Sequence, residues 1–270
     1  MHHRHGFERA FGTFPLKGDE LATALITALD VGYRAIDTAQ MYENEKDIGS
    51  VLSTSRIPRT ELLITSKVPV NQFDKADFMP SVQRSLDDLQ LDKIDILLLH
   101  WPPADGHIEP SVELLLEAKQ KGLTEHIGVS NYTSVMLEKL VGLSDDTFIC
   151  NQIEFHPLLD QSIMLDASNK SGVPLSSYCS VARGKVLQEP LIIELAQQYS
   201  RTPGQIVLRW ILQKGVSVNA MSTNPDNIRT NFNILDFTLS NVDIARIDQL
   251  GKQQYRIVNK ALVPWAPEWD

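Results

Sequence analysis

RAIDTAQMYEN, residues 34–44, holds one full cycle of the pattern that the chain repeats. A short apolar strand over 33–36 ends in a carboxylate, Asp37. A loop follows that carries a phenol, Tyr42, and a helical pattern starts near Asn44. An ionisable group at the end of a buried strand is costly unless it is paired or hydrogen-bonded. Asp37 therefore needs a partner elsewhere in the chain. The plainer alternative is that Asp37 caps the next helix and Tyr42 decorates the surface.

The same cycle recurs on both sides of this stretch. Before it, Leu21, Leu25, Ala28 and Leu29 form a helical face that Gly32 ends. After it come a helix over 44–52, a strand over 62–65 stopping at Ser66-Lys67, and a helical stripe of Phe78, Val82, Leu86 and Leu89. The most continuous apolar strand, 94–99, ends in His100-Trp101-Pro102. A helix over 110–120 leads to a strand over 127–129 that ends in Ser130-Asn131. A helix over 134–140, a strand over 148–153 that includes Gln152, a helix over 160–171 and a strand over 173–178 follow. Residues 180–187 read as a loop. Two helices come next, the second opened by a capping box of Thr202 and Gln205 with Pro203 at its first position. A strand over 216–220, a short helix over 225–231 capped by Asn224, a strand over 233–237, a helix over 242–250 and an irregular tail over 251–270 complete the chain.

Eight strands alternating with eight helices, plus two extra helices, read as an α/β protein with a parallel sheet. That many units in 270 residues predict a closed (β/α)8 TIM barrel in a single domain, 1–270, rather than an open sheet. A Gly-x-Gly-x-x-Gly after the first strand is absent, which leaves a Rossmann dinucleotide domain unsupported.

Composition agrees with a large globular core: 43% of residues are hydrophobic and 22% charged. The net charge of −9, without a basic run, argues against nucleic acid as a partner. Cys150 and Cys179 both fall in apolar runs, as buried free thiols in a reducing compartment do. No stretch has the length of a signal peptide or membrane span. The expectation is a cytoplasmic monomer without a membrane partner. His2, His3 and His5 belong to a polar start expected to be disordered rather than a metal site.

In such a barrel the C-terminal ends of the strands meet around one site. Read in order, those ends carry Asp37, Lys67, His100, Ser130-Asn131, Gln152, Tyr178 and Ser222, with Tyr42 just beyond the first. A tyrosine is a poor acid near neutral pH, because its reference pKa is about 10. An ammonium beside it lowers that value, and a carboxylate fixes the ammonium in place. Lowering it by ~2 units takes roughly 3 kcal/mol. Asp37–Lys67–Tyr42 is a chain of that type, with His100 as a neutral donor that orients an acceptor oxygen. The product is a proton donor aimed at a carbonyl. No side chain supplies hydride, so a reductase needs a cofactor.

With these residues in view, the chain resembles the aldo-keto reductase family over almost its whole length. The matching stretches are GTF (12–14), YRAIDTAQMYENE (33–45), LLITSKV (62–68), LLLHWP (97–102), GVSNY (128–132), NQIEFHP (151–157) and the Tyr178 region with RGK after it. The last residues, APEWD, and the short N-terminus look most like the bacterial 2,5-diketo-D-gluconate reductases, a subgroup that also reduces methylglyoxal. The resemblance implies NADP(H) bound without a Rossmann fold. It implies Tyr42 as general acid, Asp37 and Lys67 as its tuning pair, and His100 orienting the carbonyl. Ser130, Asn131 and Gln152 would hold the carboxamide, and Tyr178 would stack on the nicotinamide. Gly12, Thr13 and Asp37 would line the cofactor, while Phe14 and Trp101 would wall the substrate pocket.

At the adenosine end the chain departs from the family pattern. Where a Pro-Lys-Ser run and a later Arg commonly grip the 2′-phosphate, this chain has Ala220-Met221-Ser222 and Asn227. Ser222, Thr223, Asn227 and Asn231 remain as polar groups there. Each charge-assisted hydrogen bond to a phosphate is worth roughly 1.5–3 kcal/mol, so weaker NADP(H) selection and measurable NADH use are expected. Short connections after His100 and in the tail imply an open site for small polar carbonyls, such as 2-oxoaldehydes or keto-sugar acids. The alternatives are a Schiff-base aldolase using Lys67, a catalytically inactive nicotinamide-binding barrel, and a metal hydrolase using His100, His156 and Asp37. The last lacks a spaced ligand pair, so no metal is expected.

Overall fold

The computed structural model describes residues 8–270; His2, His3 and His5 lie outside them. Eight strands form one parallel sheet: β1 (Arg9–Gly12), β2 (Ala35–Asp37), β3 (Leu63–Val68), β4 (Ile94–Leu99), β5 (Thr124–Ser130), β6 (Phe148–Glu154), β7 (Leu175–Tyr178) and β8 (Val218–Ala220). Neighbours run in sequence order from β7 down to β1, and β8 adds on beyond β1. A parallel bridge between Ser176 and Ser217 brings the two ends together. Ser177 N donates to Ser217 O at 2.8 Å, and Ser217 N to Leu175 O at 3.0 Å. The sheet is thereby closed into a barrel.

Around it lie α1 (Gly18–Val31), α2 (Glu45–Thr54), α3 (Lys75–Leu89), α4 (Glu109–Gln120), α5 (Ser134–Val141), α6 (Ser162–Ser171), α7 (Pro190–Tyr199), α8 (Pro203–Gln213), α9 (Pro225–Phe232) and α10 (Asn241–Asp248). Two helices lie between β7 and β8 and two follow β8, so among the described residues the barrel carries two more than one per strand. The Thr202–Gln205 capping box opens α8, and Asn224 caps α9 through the N–H groups of Asp226 and Asn227.

Strand parity sorts the core. Phe11, Ile36, Ile64, Leu97, Leu99, Ile127 and Val129 join the helices in one large apolar cluster. The alternate residues Ala10, Ala35, Ile96, Leu98 and Cys150 form a separate, small cluster to which no helix contributes. Successive side chains on a strand point to opposite faces, so the second cluster is the barrel lumen. It is narrow: a Cβ on Gly128 would lie 2.7 Å from Leu98 Cδ2 and 2.8 Å from Cys150 O. Counting on by twos from the lumen residues reaches Asp37, Lys67, His100 and Gln152. The interior parity therefore delivers these polar groups to the C-terminal rim.

Two sequence expectations need correction. The eighth strand is not residues 233–237. Its place is held by β1, where Ala10 pairs with both Ala35 and Asn219. Segment 233–237 offers its carbonyls to side chains instead: Gln205 Nε2 donates to Asn233 O at 2.6 Å and Arg209 Nη1 to Ile234 O at 3.2 Å. The segment over 180–187 is not simply loop, because Ala182–Gln188 winds into 3-10 turns broken at Arg183 and Gly184, both at positive φ. Among the described residues, no helix is long and apolar enough to cross a membrane.

Candidate active site

Asp37 ends β2 and meets Lys67 from β3 at 2.5 Å, both buried. Lys67 Nζ also donates to Thr38 O at 2.9 Å and to Tyr42 OH at 3.3 Å. The second oxygen of Asp37 accepts from Gln152 Nε2 at 2.7 Å. Thr13 fixes the backbone of the same residue, its N and Oγ1 both donating to Asp37 O at 3.0 Å.

Burial works against the Lys67 ammonium, but Asp37 and Tyr42 outweigh it and raise its pKa. With its N–H groups committed and no exposed surface, Lys67 is a poor nucleophile, contrary to the aldolase alternative. Tyr42 is half-buried in a 3-10 turn, Gln40–Tyr42. Its pKa was expected to fall, and it is raised instead. Burial of the phenol is the largest cause; Lys67 opposes it, and Asp37 adds to it. Loss of water around the phenol outweighs the Lys67 charge, and the Asp37 carboxylate beside that charge adds to the rise.

His100 follows β4, with its ring 5.7 Å from that of Tyr42 at an interplanar angle of 77°. Burial, and then the Lys67 charge, hold its pKa well below the ordinary value, so the imidazole is neutral. Its Nδ1 is buried without a partner among the described residues. The exposed ring of Phe14 lies 5.1 Å from Tyr42 on one side. Buried Trp101 stacks 6.5 Å from His100 on the other.

The amide residues also converge. Asn131 has a left-handed backbone (φ 65°), a conformation Asn tolerates better than most residues. Its Nδ2 donates to His100 O and to Ser130 Oγ, both at 3.0 Å. Its Oδ1 accepts from Tyr178 OH at 2.7 Å. Ser130 Oγ donates to Gln152 O at 2.8 Å. Gly12 leaves open the space where a Cβ would meet Asn219 Oδ1 at 2.9 Å. A cavity of about 740 Å³ is lined in part by Gln40, Met41, Glu45, Val70, Arg84 and Trp265, but not by Asp37, Tyr42, Lys67 or His100.

Ser222, Thr223 and Asn227 lie around the start of α9, and Asn231 near its end. Met221 is exposed, and Asn224 Oδ1 takes the N–H groups of Asp226 and Asn227 at 2.8 and 3.1 Å. Arg229, the nearest cation in sequence, pairs with Asp226 at 3.1 Å. Asn231 Oδ1 sits near Gly204 on α8.

Sequence reasoning missed the part played by the tail. Glu154 at the end of β6 is buried and accepts from the backbone N–H groups of Ile257 (2.7 Å) and Val258 (2.8 Å) and from His156 Nε2 (2.9 Å). Thus pinned, the tail brings Trp269 to 6.1 Å from Trp101, and Asp270 accepts from Ser134 N and Oγ. Apolar spacing carries no signal for a strap of this kind. A carboxylate at the end of a strand otherwise free of charge was the available clue. His156, engaged by Glu154, lies outside the hydrogen-bond network of Asp37, so the metal-hydrolase grouping does not form.

With this geometry in hand, comparison with known proteins is informative. The family model described as "Aldo/keto reductase family" matches residues 10–252. Methylglyoxal reductase DkgB of Salmonella typhimurium is 37% identical over 262 residues, covering 96% of this chain and 97% of that protein. 2,5-Diketo-D-gluconic acid reductase B of Corynebacterium sp. is 38% identical over 247 residues, covering 91% of this chain and 89% of that protein. The crystal structure of MGS-M4, an aldo-keto reductase from a Medee basin deep-sea metagenome library, superposes with a TM-score of 0.88 at 29% identity, covering 93% of each chain. The chain belongs to the aldo/keto reductase family and is an NAD(P)H-dependent oxidoreductase.

Proposed function

We propose that the protein reduces small polar aldehydes and ketones, 2-oxoaldehydes or keto-sugar acids, to alcohols, with Tyr42 as the proton donor. One observation carries this reading: Lys67 Nζ lies between Asp37 at 2.5 Å and Tyr42 OH at 3.3 Å, with the neutral ring of His100 beside the phenol. A bound nicotinamide dinucleotide supplies the hydride. Ser130, Asn131 and Gln152 are the groups suited to its carboxamide, and Tyr178 offers an aromatic face beside them. Tyr42 delivers its proton to the carbonyl oxygen as negative charge develops there. Lys67, held by Asp37, stabilises the phenolate left behind. His100, being neutral, donates one N–H and orients that oxygen, while Phe14 and Trp101 confine the carbonyl group between them.

At the adenosine end the fit to a 2′-phosphate is poorer. Asn224 occupies two N–H groups of α9, Asp226 adds a carboxylate in its first turn, and Arg229 is paired to that carboxylate. NADH is therefore used alongside NADPH. A single set of measurements tests both claims: nicotinamide-fluorescence titration with each cofactor, then turnover of a carbonyl panel by the wild type and Tyr42→Phe. The variant keeps cofactor binding and loses roughly 10²–10⁴-fold in kcat, the usual worth of a positioned acid. Retained turnover in Tyr42→Phe overturns the mechanism, and a several-thousand-fold NADPH preference overturns the cofactor claim.

A further inference from the structure

Asn219 on β8 is a polar residue on the interior face of the barrel whose amide is left without a partner. Its neighbours Val218 and Ala220 join the helices in the large apolar cluster, so Asn219 takes the opposite, inward face. It pairs in register with Ala10, a member of the lumen cluster. Its backbone is tied down from the β7 side. Ser180 Oγ donates to Asn219 O at 2.8 Å, Asn219 N donates to Ser177 Oγ at 3.4 Å, and the two serine hydroxyls lie 2.8 Å apart. The side chain is not held in this way. Its Oδ1 is buried with no hydrogen-bond partner among the described residues. Its Nδ2 is not enclosed with it and donates to no described residue, so on this half-buried side chain the N–H2 end is the one open to solvent.

The space beside this amide is kept clear. Gly12 ends β1 next to it, and a Cβ there would lie 2.9 Å from Asn219 Oδ1 and 3.8 Å from Met221 Cβ. The backbone of Gly12 is not in the left-handed region, so glycine serves there for room rather than for conformation. Gly12 also stands opposite Asp37 in the β1–β2 register, which puts the amide at the C-terminal rim. The groups suited to the nicotinamide, Asn131, Gln152 and Tyr178, come from β5, β6 and β7 on one side. Ser222 and Thr223 follow β8 itself toward α9. A dinucleotide that joins these two sets crosses β8 with its diphosphate, the part common to NADH and NADPH. Phosphate oxygens there accept hydrogen bonds, and an open amide N–H2 supplies two donors.

We propose that Asn219 donates from Nδ2 to the cofactor's diphosphate, and so strengthens the binding of NADH and NADPH alike, independently of the 2′-phosphate. This rests on the cofactor placement given above. The test measures Kd for NADH and NADPH by nicotinamide fluorescence, and for ADP-ribose and AMP by competition against NADH. The proteins compared are the wild type, Asn219→Leu, Asn219→Ala and Asn219→Asp. Both apolar variants weaken NADH and NADPH by the same factor, roughly 10-fold or more, the worth of one hydrogen bond to a charged group. ADP-ribose weakens by that factor too, whereas AMP, which lacks the diphosphate, binds as it does to the wild type. Asn219→Asp weakens NADH, NADPH and ADP-ribose further, because like charges repel. The urea midpoint of the cofactor-free protein does not fall in Asn219→Leu or Asn219→Ala, since the amide has no partner to lose. Unchanged Kd values in both apolar variants overturn the proposal. So does a loss confined to NADPH, which would put the amide at the 2′-phosphate, or an equal loss for AMP, which would put it at the adenosine. A lowered midpoint in both apolar variants would mean a structural amide and overturns it as well. A wild type that binds neither NADH nor NADPH sinks the underlying cofactor reading instead.

Discussion

Tyr42 holds its proton tightly, because burial raises its pKa despite the lysine beside it. His100 resists protonation for a related reason: burial and the Lys67 charge both lower its pKa. The signs combine simply. A tyrosine pKa raised above 10 keeps the acid loaded up to at least that pH, and a histidine pKa well below 6.5 keeps the imidazole neutral down to at least that pH. The rate of carbonyl reduction at saturating substrate is therefore expected to stay flat from about pH 6.5 to about pH 10. Alcohol oxidation, which needs the phenolate, rises with pH over the alkaline end of that range. Steady-state kcat profiles in both directions check this; a reduction rate falling through a midpoint near pH 7 contradicts it. The pairing of Asp37 with Lys67 was legible in the sequence, as two polar ends of apolar strands. The direction of the Tyr42 shift was not, because it depends on how much water the folded site excludes.

Between elements, α2 and α3 approach each other closely at Gly49. Gly49 on α2 has no room for a side chain, since a Cβ there would lie 2.2 Å from Asp88 O and 2.8 Å from the Leu89 carbonyl carbon. Both are backbone atoms, so neither can turn away. Gly49→Ala forces the helices apart and is expected to destabilise the protein by roughly 1–3 kcal/mol, the cost of overpacking, read as a lowered midpoint in urea. An unchanged midpoint would mean the helices shift freely. α2 begins just after Tyr42, and its first residue, Glu45, accepts from Ser66 Oγ at 2.5 Å beside Lys67. The same variant should therefore lower kcat. Helix positions were readable from apolar spacing and caps, as at Thr202 and Asn224. The 3-10 turns at Ala182–Gln188 were not, because their Arg183–Gly184 break follows backbone geometry rather than hydrophobic period.

Over the whole molecule, the tail and the barrel are joined through Glu154. Burial tends to raise the pKa of this carboxylate, but His156 and the N–H groups of Ile257 and Val258 prevail and lower it. A depressed carboxylate stabilises the fold fully above its unfolded value and loses that contribution as pH falls through the folded one. The strap is expected to hold at neutral pH and to release only on acidification below about pH 4.5, the ordinary value for Glu. Glu154→Ala leaves two buried N–H groups unsatisfied, costs about 1–3 kcal/mol each at most, and frees the tail at neutral pH. Limited proteolysis within 251–270 and the fluorescence of Trp269 report this; a tail as protected as in the wild type argues against the anchor. The sequence by itself determined the alternation of strand and helix and the polar residues that end the strands, because apolar periodicity and chain order are local properties. Tertiary structure alone decided that Arg9–Gly12 rather than 233–237 closes the barrel, that Tyr42 is made a weaker acid than its lysine suggests, and that a distant tail brings Trp269 onto Trp101. Each depends on which groups become neighbours and how much water they exclude, which residue order does not contain.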